Sequence, residues 1–527
     1  MASLSPWNRV EASKGNLYKI HRAILGPAFA AALLGGAQFL TPARAATVNV
    51  GGAGGDLSAN DQYTPDGGVA DPLTGDTLDF NVAGQTVNLK TFNLTNGLTG
   101  ISFSSGTGIF DSDQNSTPRV IGAALTGTGT VTFRNSAGAN NVIELSGDNS
   151  AFTGTIKVDL ANTGSLKLSA ANAAGAAAAT LDVDQGTLDI AANIGNQAID
   201  LDGGTTIGTS TGTASASGNV SLNAGTVTAS IAGTKLTLSG VVSGGGALSK
   251  TGAGNLTLSG VNTYTGNTTI AAGTLTSSNA LGLGAAANGT VAINGTAVLE
   301  LDGNLNVLAK TAATMADGTT IQNTAGDTST WATATAITGA GNVNVAGDQL
   351  TMSGVVSGTG GITKAGAGVL VLSGTNTNTG NTTINAGTVR VEDNNGLGAD
   401  GNGTVALAAG TTLELNGNLT VAAKTAATMA TGSTIQNTAG DTTTWSTNTA
   451  ITGVGNVNVA GTQLTMGGVV SGTGGITKAG TGVLVLSGTN TNTGDTTINA
   501  GTVRISNALG LGAAGNGTVA LAGTSIL

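Results

Sequence analysis

Three short strings each set two carboxylates two residues apart: Asp182 and Asp184 in LDVD, Asp200 and Asp202 in IDLD, and Glu300 and Asp302 in LELD. Alternate side chains of an extended strand share a face, so each pair projects to one side. Two acids so placed could divide acid and base, or acid and nucleophile, in glycoside hydrolysis, given a suitable gap and unequal surroundings. The structural alternative is a polar outer face opposite Leu181/Val183, Ile199/Leu201 and Leu299/Leu301. The chain carries its own control, because 114 residues on Asp302 is replaced by Asn416. A pair that is lost in the next copy is dispensable there, which favours the outer-face reading. The only histidine is His21 and there is no cysteine, so the usual triads and zinc, copper or haem ligand sets lack their donors.

Two fragments resemble calcium loops. GGAGGDLSA (51–59) matches one nonapeptide of a calcium β-roll, with Ser58 where an apolar residue belongs, and a single imperfect copy cannot form a tandem site. Asp111, Asp113 and Asn115 open like an EF-hand, but Ser116 replaces the turn glycine and Gly122 the closing glutamate. Lys250, Lys364 and Lys478 recur 114 residues apart, too far for convergence on one ligand, and are read as solvated turn positions. Arg390 and Arg504 stand where the first copy has Thr276, which argues against a special role. Strings such as GTGG (358–361) lack the lysine and helix start of a phosphate loop. No catalytic, cofactor-binding or metal residue is therefore expected.

The elements around these residues are short alternating runs such as NLTL, TTI, TVAI and VLEL, separated by Gly or Asn turns. ALSKTGAGNLTLSGVNTYTGNTTIAAGTL (247–275) returns as GITKAGAGVLVLSGTNTNTGNTTINAGTV (361–389) and again at 475–503. Trp331 and Trp445 keep the same spacing, and LSGDNSAFTGTI (145–156) is a weaker copy. A fixed period across 527 residues predicts one stacked array rather than several globules. Low charge (9%) with abundant alternating Val, Ile and Leu argues against disorder, and 3% aromatics implies a thin core. At about 20 residues per coil, each 114-residue unit holds five or six rungs, and the exported part about 24 rungs over about 115 Å. A string of immunoglobulin-like sandwiches suits the unit length, but each full unit offers one Trp and no Cys.

The string L-x-K-x-G-x-G-x-L-x-L-S-G-x-N-T-x-T-G-x-T-T-I-x-A-G-T-[LV], met at 248–275, 362–389 and 476–503, resembles the autotransporter-associated β-strand repeat of bacterial type V secretion passengers. In that family an aromatic commonly precedes the Thr-Gly; Tyr264 and Phe152 fit, whereas Asn378 and Asn492 depart from it. The resemblance implies an all-β, right-handed parallel β-helix exported to the surface of a Gram-negative bacterium. It also implies a C-terminal β-barrel translocator, which this sequence does not contain.

Residues 1–45 read as a signal peptide, with Arg9, Lys14, Lys19 and Arg22 before the apolar run 24–40 and Ala43-Arg44-Ala45 as the cleavage site. Removing that leader takes five basic residues and one acidic residue, leaving 13 basic against 27 acidic. A net charge of −14 disfavours nucleic acid and anionic lipid as partners. Residues 46–123 are expected to form an N-terminal cap and first rungs, 124–237 a degenerate repeat, 238–351 and 352–465 full repeats, and 466–527 a truncated third, so that the chain is a fragment or a shortened array. The expected function is a structural or adhesive surface rod whose partners are host cells, matrix or other copies of itself. A secreted β-helix polysaccharide lyase or hydrolase using Asp or Glu is the alternative.

Overall fold

The computed structural model describes residues 118–527 except 136–140, with strand segments at 47–49, 76–79, 85–88, 98–103 and 107–111. The leader and the 51–59 fragment lie outside the described residues. Among the described residues every assigned strand pairing is parallel; no helix occurs, and none is long and apolar enough to cross a membrane. The chain is a parallel β-solenoid of about 18 turns. Alternation decides which side chains face in: Thr290–Ile293 buries Val291 and Ile293 and leaves Thr290 and Ala292 partly exposed. The inward residues make one continuous core running the length of the coil.

Each turn has three faces. Ala312–Met315, Thr320–Asn323 and Thr328–Trp331 succeed one another in the chain and belong to three different sheets. Register partners are one turn apart, from 19 residues (Leu256 to Leu275) to 30 residues (Thr47 to Thr77). The expected coil of about 20 residues is thus often exceeded, because turns such as 278–289 bulge between strands. About 18 turns at about 4.8 Å give a described rod of about 86 Å.

Six sheets are present among the described residues, yet they form three columns, each broken where the repeated motif enters it. One column runs through Val242–Gly244, is carried across the gap by backbone bonds at Thr263, Thr265 and Ala285, and resumes at Asn306–Val307. A second breaks after Val356–Ser357, where Thr377 and Ala399 carry it to Thr420–Val421. The third reaches Val470–Ser471 and continues through Thr491 and Ala513.

A consequence invisible in the repeat itself is that equivalent strands do not lie above one another. Ala247–Thr251, Gly361–Ala365 and Ile476–Ala479 fall in the 12-, 13- and 11-stranded sheets. Five ladder steps lead from Asn255–Leu258 to Gly361–Ala365 along one face, and the equivalent of the starting strand, Val369–Leu372, is the next one along the chain. Each sequence repeat therefore advances five turns and one face, about 120°.

Candidate functional site

The paired carboxylates occupy the outer faces of their strands, and their partners are other outward side chains one turn away. Lys157 Nζ lies 3.2 Å from Asp182 Oδ2 and 2.6 Å from Asp184 Oδ2. Partial burial raises the Asp182 carboxyl above its usual range, while Lys157 pulls it back. The Asp184 carboxylate in turn holds the Lys157 ammonium up. Asp200 is the register neighbour of Asp182, and Asp202 accepts from Asn223 Nδ2 at 2.7 Å.

Glu300 accepts from Thr276 Oγ1 at 2.8 Å and Gln322 Nε2 at 2.9 Å, and Asn344 donates to Gln322 at 3.2 Å. Asp302 accepts from Ser278 at 2.9 Å and Thr324 at 3.3 Å. One repeat on, Arg390 pairs with Glu414, and Gln436 and Asn458 extend the same run. Asn416, in place of Asp302, donates to Glu392 and accepts from Thr438. These ladders hold outward polar groups in register from turn to turn, as cross-strand pairs do in any sheet. Asp111 is buried and paired with Arg134 at 2.8 Å, whereas Asp113 and Asn115 lie outside the described residues.

The lysines correct the reading made from the sequence. Lys250, Lys364 and Lys478 are 0% exposed and point into the coil. Lys364 Nζ donates to the carbonyls of Ala365 and Gly366 at 2.8 Å, and to Ala386 in the next turn at 3.1 Å. Lys250 and Lys478 repeat all three bonds. Burial pushes each ammonium down to about 8, while three carbonyl acceptors favour its charged form. The signal was in the strand: Lys250 is two residues from Leu248, and Lys364 two from Ile362, so alternation sends both inward. The turn beyond needs glycine, since Gly366 has φ +76° and a Cβ there would lie 2.2 Å from Val345 O.

A second inward polar residue explains the Asn of the motif. Asn262, Asn376 and Asn490 are buried, and each bridges three turns. Asn376 Oδ1 accepts from Val356 N at 2.8 Å, and its Nδ2 donates to Gly396 O at 2.7 Å. Asn262 and Asn490 match it, and Asn149 of the weak copy does the same between Leu125 and Ala173. The side-chain amide thereby completes the backbone ladder where the motif interrupts the strands. Trp331 and Trp445 are also interior, donating to Thr335 and Thr449 at 2.9 and 3.0 Å. All Trp, Tyr and Phe side chains among the described residues are buried.

The passenger-associated-transport-repeat family matches residues 248–276, 362–391 and 476–505. The adhesin BmaC autotransporter of Brucella suis biovar 1 (strain 1330) is 60% identical over 52 residues, 9% of this chain and 2% of that protein. The chain thus spans a small part of that relative's length. No solved structure matches. The three matched segments are the copies of the repeated motif that carry Lys250, Lys364 and Lys478.

Proposed function

We propose that the chain is an adhesive, non-catalytic rod whose repeats serve stacking rather than turnover. The observation that carries this reading is the orientation of the motif: its Lys and Asn side chains are spent inside the coil, bonded to backbone. What the rod offers a partner is its outer Thr, Asn, Ser and Gly, together with the polar ladders. Strong single-site interfaces usually rest on aromatic and Arg anchors. With its described aromatics buried, this surface suits many weak contacts acting together. The relative named an adhesin adds support for that use.

Host cells, matrix or other copies of the rod are the partners proposed, with a β-barrel translocator providing passage through the outer membrane. Because equivalent surfaces turn by one face per repeat, a flat partner meets the same patch once in three repeats. Adhesion is then set by rod length rather than by any one repeat. The test is binding of fluorescent beads, coated with the full chain, to host cells, matrix proteins and bead-borne chain. Retention that rises with bead loading supports the reading. Turnover of pectin, alginate or glucan, lost in Asp182→Asn or Asp200→Asn, would overturn it in favour of a polysaccharide-cleaving enzyme.

A further inference from the structure

In the first repeat the fully buried Tyr264 places its hydroxyl 2.7 Å from Thr268 Oγ1, and Lys310 Nζ lies 5.7 Å from its ring centre while donating to Ala285 O at 2.8 Å. One repeat later the equivalents are Asn378, Thr382 and Lys424, all buried. Lys424 keeps its bond, now to Ala399 O at 2.9 Å, and Asn378 Nδ2 reaches Gly360 O at 3.4 Å. Asn378 Oδ1 and Thr382 Oγ1, however, have no hydrogen-bond partner. The side chain that joined position 378 to 382 has lost its ring and hydroxyl, and the polar atoms at either end of that gap remain. In the third copy Asn492 is buried too, with both ends of its amide unpartnered.

We propose that this interior gap is a binding site for ordered water, held among Asn378 Oδ1, Thr382 Oγ1 and Lys424 Nζ in the space the Tyr264 phenol fills one repeat earlier. A phenol ring vacates room on the order of one or two waters, at about 30 Å³ each. The chemistry also selects water. It donates to the amide oxygen and accepts from the ammonium or hydroxyl, whereas an anion would face the Asn378 oxygen. Buried polar groups left unpaired are costly, and a gap lined by them hydrates where an apolar one stays dry. The repeats thus have two solutions for one interior position, a tyrosine plug and a hydrated asparagine.

The experiment is a crystal structure of the full chain at a resolution that shows waters, with a second structure of Asn378→Tyr. The expected result is density within about 2.7–3.2 Å of Asn378 Oδ1 and Thr382 Oγ1, absent at Tyr264. In Asn378→Tyr that density should vanish and the new hydroxyl should bond Thr382, with a raised melting temperature. If Asn378→Tyr fails to fold, the wild-type density alone decides. No density there, both atoms bonded to protein donors, or an anomalous signal of chloride in the gap would overturn the proposal.

Discussion

Replacing Lys364 by Met keeps the length of an interior side chain and removes its charge and its three donors. The ammonium makes three bonds to backbone carbonyls, two in its own turn and one in the next. Met at this position leaves those three carbonyls without a donor in the interior, at about 1 kcal/mol or more each. Lys364→Met is therefore expected to lower local stability by about 3 kcal/mol. In a stacked array such a loss is felt by neighbouring turns first. Amide hydrogen exchange read by mass spectrometry should quicken about a hundredfold in peptides from 361–391. The equivalent peptides from 475–505 should change little and serve as the control. An unchanged rate over 361–391 would refute the view that the buried ammonium holds this corner together.

Three further outcomes are expected. Asn376→Ala leaves Val356 N–H and Gly396 C=O unpaired in the interior, a loss of about 2–4 kcal/mol that calorimetry or exchange over 352–398 will show. Gly366→Ala meets both a positive φ and a 2.2 Å approach to Val345 O, and should cost at least about 2 kcal/mol, read as a lower melting temperature. Stability should rise as pH is taken from about 8 towards 10. Across that window the folded state releases protons from Lys250, Lys310, Lys364 and Lys478 that the unfolded chain, titrating near 10.5, still holds. Below about 8 both states are protonated and this contribution is flat. Above 10 burial keeps the Tyr264 hydroxyl neutral while the unfolded phenol ionises, so the rise should turn over. Melting temperatures at pH 7, 8, 9 and 10 check the sign, and Lys364→Met should show a smaller rise.

Much of the coil was legible because alternation is a local property. NLTL, TVAI and VLEL put Leu, Val and Ile inward as their spacing requires. The Glu300/Asp302 pair was also readable, since loss of Asp302 in the next copy fits a ladder in which Asn416 takes the same place. Lys364 was misread through its charge, although its position relative to Ile362 already sent it inward. The role of Asn376 could not be read, because it depends on atoms 20 residues away on either side. The one-face advance per repeat was hidden for a related reason. A period in sequence says how often a pattern returns, whereas the number of turns it spans depends on loop lengths that only the folded coil reveals.

The central claim is that successive turns lie in parallel, one above another, about 22 residues apart in sequence at the middle of the rod. Thr320 and Asn342 are outward register neighbours on adjacent turns, and the chain has no cysteine of its own. In Thr320→Cys/Asn342→Cys the two α-carbons should lie within the 4.4–6.8 Å that a disulfide spans. Mild oxidation of the double variant should therefore close an intramolecular bond in nearly every molecule, seen as the loss of two free thiols in the folded protein. Two thiols that stay free and modifiable under the same oxidation, in a chain that retains its β-sheet circular dichroism, would contradict the stacked coil and everything built on it.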